Sequence, residues 1–220
     1  MIIAIDGPAG AGKSTVAKRV AKILNILYID TGAMYRAITL KAINNKIDIN
    51  DEKEIVNIAK NSRIELKHTS SALKVYLDGK DVTKQIREPK VSRFVSEVSQ
   101  IVPLRKIMVK LQRKIARSHK GAILEGRDIG TVVFPDADYK FYLDANFKER
   151  IKRRYKELKE SDRNITLEAV KKNILKRDRI DSTRSYAPLR KAEDAIYINT
   201  TNIGIEEVVK RILEELKRVR

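Results

Sequence analysis

Residues 2–20 read IIAIDGPAGAGKSTVAKRV. The opening IIAI is a short apolar run that stops at Asp6-Gly7, the pattern of a buried parallel strand. From Lys13 onward, Val16, Ala17, Val20, Ala21 and Leu24 recur at helical spacing. Between strand and helix, Gly7-Pro8-Ala9-Gly10-Ala11-Gly12-Lys13-Ser14 satisfies G-x-x-x-x-G-K-[ST], with Thr15 following. Glycines let such a loop curl so that its N–H groups converge on phosphate oxygens. The helix behind it adds its dipole and its free amides. Lys13 is expected to reach the β- and γ-phosphates of a nucleoside triphosphate, and the Ser14 hydroxyl to ligate Mg²⁺.

Ile26–Ile29 return to an apolar run, so strand, loop, helix and strand form a βαβ unit. Similar runs follow at Ala122–Leu124, Lys140–Leu143 and Ala195–Ile198. Helical faces separate them: Leu104, Ile107, Met108, Leu111 and Ile115 behind Pro103, and later Val208, Val209, Ile212, Leu213 and Leu216. Five short strands alternating with helices predict a doubly wound α/β domain. The interval between the second and third strands is too long for a plain crossover. It holds IELK (64–67) and LKVYLDGKDVT (73–83), with Asp78-Gly79 as a hairpin signal. The expected division is a core of residues 1–34, 121–147 and 166–220, an inserted lobe at 35–120, and a helical, cation-rich lid at 148–165.

Composition narrows the chemistry. The 220 residues include no cysteine and two histidines, which argues against thiolate chemistry, a histidine metal site or a Ser-His-Asp triad. Neither the start of the chain nor any later stretch has the length of a signal h-region or a membrane span, so a cytoplasmic protein is expected. The net charge of +18 raises nucleic acid as a partner. Against it stand an aromatic content of 5%, too low for extensive base stacking, and no helix-turn-helix or zinc pattern.

The arginines point instead to small phosphates. Arg36 follows the second strand in DTGAMYR, and Arg127-Asp128 follow the third in ILEGRDIG. Ligands in doubly wound folds bind at the carboxyl ends of strands, so these residues should face the triphosphate. Guanidinium groups suit bidentate phosphate binding, as a kinase of small molecules requires. Arg150, Lys152, Arg153 and Arg154 read as a lid over the transferring group. Asn45-Lys46-Ile47-Asp48 matches the guanine-reading N-K-x-D, but it lies within the insertion, and no D-x-x-G switch accompanies it. A polar loop is the better reading.

These residues carry a resemblance. IDGPAGAGKST (5–15), DTGAMYRA (30–37), DGKDVTKQIR (78–87), LEGRDIGTVVFPDADYKFYLDA (124–145), KRDRIDSTRSYAPL (176–189) and AIYINTT (195–201) together resemble the bacterial cytidylate kinases. The resemblance implies a P-loop kinase fold, a five-stranded parallel sheet in the order 2-3-1-4-5, and transfer of phosphate from Mg-ATP to CMP or dCMP. It implies that Arg36, Arg127 and Thr31 hold the acceptor phosphate beside Tyr35. Ser96, Arg105 and Asp128 would read cytosine, and Arg177, Asp181 and Arg184 would contact sugar and phosphates. Lys13, Arg127, Arg153 and Arg154 would surround the transferring group. It implies a monomer acting on nucleotides, with no specific nucleic-acid or membrane partner. Read without it, Ser96 and Arg105 pass as surface residues on helices, and Asp181-x-x-Arg184 as an ion pair in a polar turn after a helix. A kinase of UMP or dTMP remains the nearest alternative, and a nucleic-acid-binding ATPase a more distant one.

Overall fold

The computed structural model describes residues 1–68, 73–160 and 163–218. Parts of the insertion (69–72), the lid (161–162) and the C-terminal segment (219–220) lie outside the described residues. The apolar run after Met1 forms β1 (Ile2–Asp6). Its side chains alternate between two clusters: Ala4 packs with Ile29 and Leu124, while Ile3 and Ile5 pack with Val16, Val20 and Phe141. A strand buried on both faces belongs inside a parallel sheet, and each fully buried isoleucine contributes about 1.5–3 kcal/mol.

That sheet contains β2 (Leu27–Asp30), β6 (Ala122–Gly126), β7 (Tyr139–Asp144) and β8 (Ile196–Asn199) beside β1, all parallel. The spatial order is β2-β6-β1-β7-β8, which is 2-3-1-4-5 when the strands of this sheet alone are counted. The register brings Asp6 opposite Gly126 and Asp30 opposite Glu125, so several polar residues share the carboxyl edge. Helix α1 (Lys13–Leu24) packs with α8 (Ile205–Arg218) on one face. On the other face lie α2 (Thr31–Asn44) and α5 (Val102–Arg117), with α3 (Glu52–Lys60) and α4 (Pro89–Val98) beyond them.

The long interval holds a separate antiparallel sheet, β3 (Ile64–His68), β4 (Leu73–Leu77) and β5 (Lys80–Asp81). Asp78 and Gly79 join β4 to β5 with φ of 51° and 81°. Two positive φ values are what a two-residue hairpin turn demands. Ile55, Val75, Ile86 and Val91 of this region share one apolar cluster with Ala4, Ile29 and Leu124 of the central sheet. Helices α6 (Phe147–Lys159) and α7 (Leu167–Thr183) pair over Ile151, Val170 and Ile174. Helix α7 runs further than its sequence suggests. Asp181 lies on its last turn, not in a loop after it, and Arg184 is the residue that ends it. No helix among the described residues is long and apolar enough to cross a membrane.

Candidate active site

A cleft of about 1860 Å³ opens along the carboxyl edge of β1, β2 and β6. The phosphate loop forms one wall. Gly7 has φ of 146°, and a Cβ there would stand 1.9 Å from the carbonyl oxygen of Leu143, so only glycine lets the loop leave β1 against β7. At Gly10 (φ 79°) a Cβ would meet the Arg150 carbonyl at 2.8 Å. Gly7 and Pro8 form the root of the loop, while Ala9, Gly10, Ala11, Gly12, Lys13, Ser14 and Thr15 line the cleft. Lys13 Nζ donates to the Pro8 carbonyl at 2.7 Å. Burial, reinforced by Arg127, pushes its ammonium down to about 7. Ser14 Oγ donates to Glu125 Oε2 at 2.8 Å, and the Tyr28 hydroxyl donates to Glu125 Oε1. Burial and neighbouring Asp30 raise Glu125 above the usual carboxylate range.

The opposite wall gathers arginines around two carboxylates, Asp181 and Asp128. Arg127 Nε donates to Asp181 Oδ2 at 2.8 Å. Burial alone would raise Asp181, but Arg127, Arg177 and Arg184 overrule it and hold it low. Arg177 enters from α7 with its Nε sealed from solvent and without a partner among the described residues. Burial, with Arg127 close by, pushes it down to about 10. Asp178 and Asp181 balance it only in part, so an anion such as phosphate would complete its neutralisation. Arg36 on α2 donates to the Ile86 carbonyl (3.2 Å) and to Ser92 Oγ (2.8 Å). Thr31 Oγ1 donates to the Glu125 carbonyl at 2.7 Å, at the mouth of β6.

Asp128 is held by two guanidiniums. Arg105 donates to Oδ2 at 2.6 Å and to the Ser99 carbonyl at 2.9 Å. Arg184 approaches Oδ1 at 3.3 Å while its Nε donates to the Ala187 carbonyl. The Tyr35 ring lies 5.4 Å from the Arg105 guanidinium. Read as surface positions, Ser96 and Arg105 are corrected here: they are 6% and 2% exposed, because α4 and α5 turn these positions into the cleft. On α6, Arg153 donates to Thr200 Oγ1 (2.9 Å) and to its carbonyl (2.7 Å), and Arg154 pairs with Glu157 at 2.6 Å.

The cytidylate kinase family model matches residues 3–218. The chain is 53% identical over 216 residues to "Cytidylate kinase" of Clostridioides difficile (strain 630), covering 98% of each chain. The chain belongs to the cytidylate kinase family. It is also 53% identical to "Cytidylate kinase" of Caldanaerobacter subterraneus subsp. tengcongensis, covering 98% of this chain and 94% of the other. A crystal structure of an uncharacterized protein from Eubacterium ventriosum aligns at a TM-score of 0.53 and 15% identity, over 99% of this chain and 98% of that one. At that identity it speaks to the fold alone.

For a cytidylate kinase, several residues in the cleft go beyond the motif reading. Glu125 is one, a carboxylate closing an apolar strand beside β1, and that placement is its sequence signal. Arg150, grouped in sequence with the lid arginines, lies behind the phosphate loop and not in the cleft lining: it is 9% exposed and donates to the Ala9 and Ala145 carbonyls and to Asp178. Asp30, at the end of β2, caps α2 through Ala33 N–H and pairs with Arg87 from the insertion. Nothing local in the sequence announces that pairing, which spans 57 positions.

Proposed function

We propose that this protein transfers the γ-phosphoryl group of ATP to CMP and dCMP, yielding CDP and dCDP. The observation that carries the reading is the meeting, at one sheet edge, of a phosphate loop with an Asp128 carboxylate held by Arg105 and Arg184. Cytosine offers an N4 amino donor beside acceptors at N3 and O2. A carboxylate keeps lone pairs after meeting two guanidiniums, so Asp128 can accept from N4 together with Ser96, while Arg105 donates to the ring. Uracil reverses the polarity at positions 3 and 4 and would leave these buried groups unpaired, at about 1–3 kcal/mol each.

A phosphate oxygen of CMP attacks the γ-phosphorus in line as ADP leaves, so no side chain needs to act as nucleophile. Arg36, Arg127 and Thr31 hold the acceptor phosphate. Arg177, Arg153 and Arg154 face the transferring group, and Lys13 stabilises its charge. The residues present also fit Mg²⁺. Among the described residues no cluster of three acidic or histidine ligands exists, while the Ser14 hydroxyl stands against the Glu125 carboxylate. That suits an ion that keeps most of its waters and binds through substrate phosphates. Ser14 would ligate it and Glu125 would orient its shell; when bound, it neutralises phosphate charge. Residues 35–120 serve as the acceptor lobe and 148–165 as the lid, which exclude water on closure. The protein acts as a cytoplasmic monomer on free nucleotides, without a nucleic-acid or membrane partner. The family's likeness and the small-phosphate character of the cleft support this.

The test is ADP release from Mg-ATP with CMP, dCMP, UMP, AMP, dTMP or no acceptor. Turnover confined to CMP and dCMP is expected. Equal turnover of UMP or AMP would overturn the base assignment. Acceptor-independent hydrolysis stimulated by RNA or DNA would overturn the kinase reading.

A further inference from the structure

Asp128 stands at the N-terminus of a π-helical turn, Ile129–Val133, closed by bonds from Val133 N–H to the Asp128 carbonyl and from Phe134 N–H to the Ile129 carbonyl. An aspartate at such a position ordinarily accepts the turn's own free amides. Asp128 makes no such bond, because its oxygens face Arg105 and Arg184. The amides are satisfied from elsewhere. Ile129 N–H donates to Asp6 Oδ1 at 2.9 Å, and Gly130 N–H donates to Asp6 Oδ2 at 2.7 Å. Asp6 is 5% exposed, ends β1, and immediately precedes the phosphate loop. Both of its oxygens are committed to this turn.

We infer that Asp6 is a positioning residue for base selection: it caps the turn from the neighbouring strand and thereby leaves the Asp128 carboxylate free for cytosine. This rests on the cytidylate kinase reading of the site. Without Asp6, two buried N–H groups lose their acceptor, and the nearest carboxylate in sequence is that of Asp128 itself. Turning back to cap its own helix, Asp128 would give up Arg105 and the base. The charged and titratable groups facing Asp6 are Asp128 and Lys13, with the Tyr142 hydroxyl across β7. The Lys140 ammonium is engaged instead by the Pro135 carbonyl and Asp194. Burial pushes the Asp6 carboxyl up to about 6, against the pull of its two amide donors. Protonation would remove one acceptor and mimic a substitution.

The experiment is Asp6→Asn, which keeps the shape but presents an NH₂ group to one amide donor. Expected is a fall of about tenfold in the CMP-to-UMP ratio of kcat/KM, carried mainly by KM for CMP, with the Kd of ATP within about twofold of the parent. The same ratio is measured for the unaltered protein from pH 5 to 7.5, where it should fall as pH drops through about 6. Taking the ratio cancels the ionisation of the acceptor phosphate, which is common to both nucleotides. A ratio unchanged in the variant overturns the inference, and if Asp6→Asn does not fold, Asp6→Thr, which keeps one oxygen acceptor, is measured in its place. Absence of CMP turnover in the unaltered protein would instead overturn the functional reading on which it rests.

Discussion

Lys13 and Pro8 are joined by a 2.7 Å hydrogen bond from ammonium to carbonyl, within a single loop. The lysine is buried, beside Arg127, and its proton is held loosely, at about 7. A polyphosphate would reverse that balance and pull it upward. ATP binding at pH 8 is therefore expected to take up protons, approaching one per site. Calorimetry in buffers of differing ionisation heat measures this, and Lys13→Met should abolish both uptake and turnover. Without nucleotide, the folded lysine lies below its unfolded value of about 10.4. The unfolded chain thus binds more protons between about 7 and 10.4, and its stability rises with pH across that window.

Arg105 and Asp128 form a buried pair, 2% and 8% exposed at their side chains. Arg105→Met should cost about 3 kcal/mol in urea unfolding, because Asp128 then keeps only Arg184. Asp128→Asn in the same chain should restore part of that loss, so that the double variant is more stable than the two single effects predict. Turnover of CMP should fall about 100-fold in either single variant.

Glu125 receives the Ser14 hydroxyl at 2.8 Å. Glu125→Gln should raise the Mg²⁺ concentration for half-maximal rate by about 10–100-fold. ATP binding measured without metal should stay near the parent value. Chelation of Mg²⁺ should stop the parent reaction completely. An unchanged metal dependence would remove Glu125 from the metal's surroundings.

Thr200 Oγ1 accepts from Arg153 Nη1 at 2.9 Å and stands 3.2 Å from the Ala11 carbonyl and 3.0 Å from that of Asp144. The hydroxyl thereby ties α6 to the phosphate loop and to the end of β7. Thr200→Val keeps the volume and removes the tie. Expected are a loss of about 1–2 kcal/mol in stability and a fall in kcat of about tenfold with KM for CMP unchanged. Steady-state kinetics beside a thermal melt separate the two effects.

The sheet could be read from the sequence because each strand is a short apolar run and each helix carries its own period. The phosphate-loop side of the cleft is legible for the same reason: the loop is contiguous, so its spacing is visible. The opposite wall is assembled from residues far apart in the chain. Arg105, Asp128 and Arg184 meet only after α5, β6 and α7 pack, and no local period marks them. Their motif resemblance could suggest roles but not burial, and a charged residue on a helix otherwise reads as solvated. Asp6 and Arg150 were hidden differently. Each acts on backbone groups, Ile129 and Gly130 amides in one case and the Ala9 carbonyl in the other, and backbone partners leave no signature in side-chain identity.

Helix α7 carries Asp178 and Asp181 on its C-terminal half. Asp178 grips Arg150, which itself touches the phosphate loop at Ala9, and Asp181 grips Arg127 on the opposite wall. Three residues of an α-helix rise about 4.5 Å, a length fixed by its repeating backbone bonds. The interval between the two anchors is thus metered by helical pitch, as a ruler is graduated. A displacement of α7 that kept both ion pairs would carry the two arginines together. The holds on Arg150 and on Arg127 are thus spaced by one rigid length standard, set inside the helix rather than in either loop.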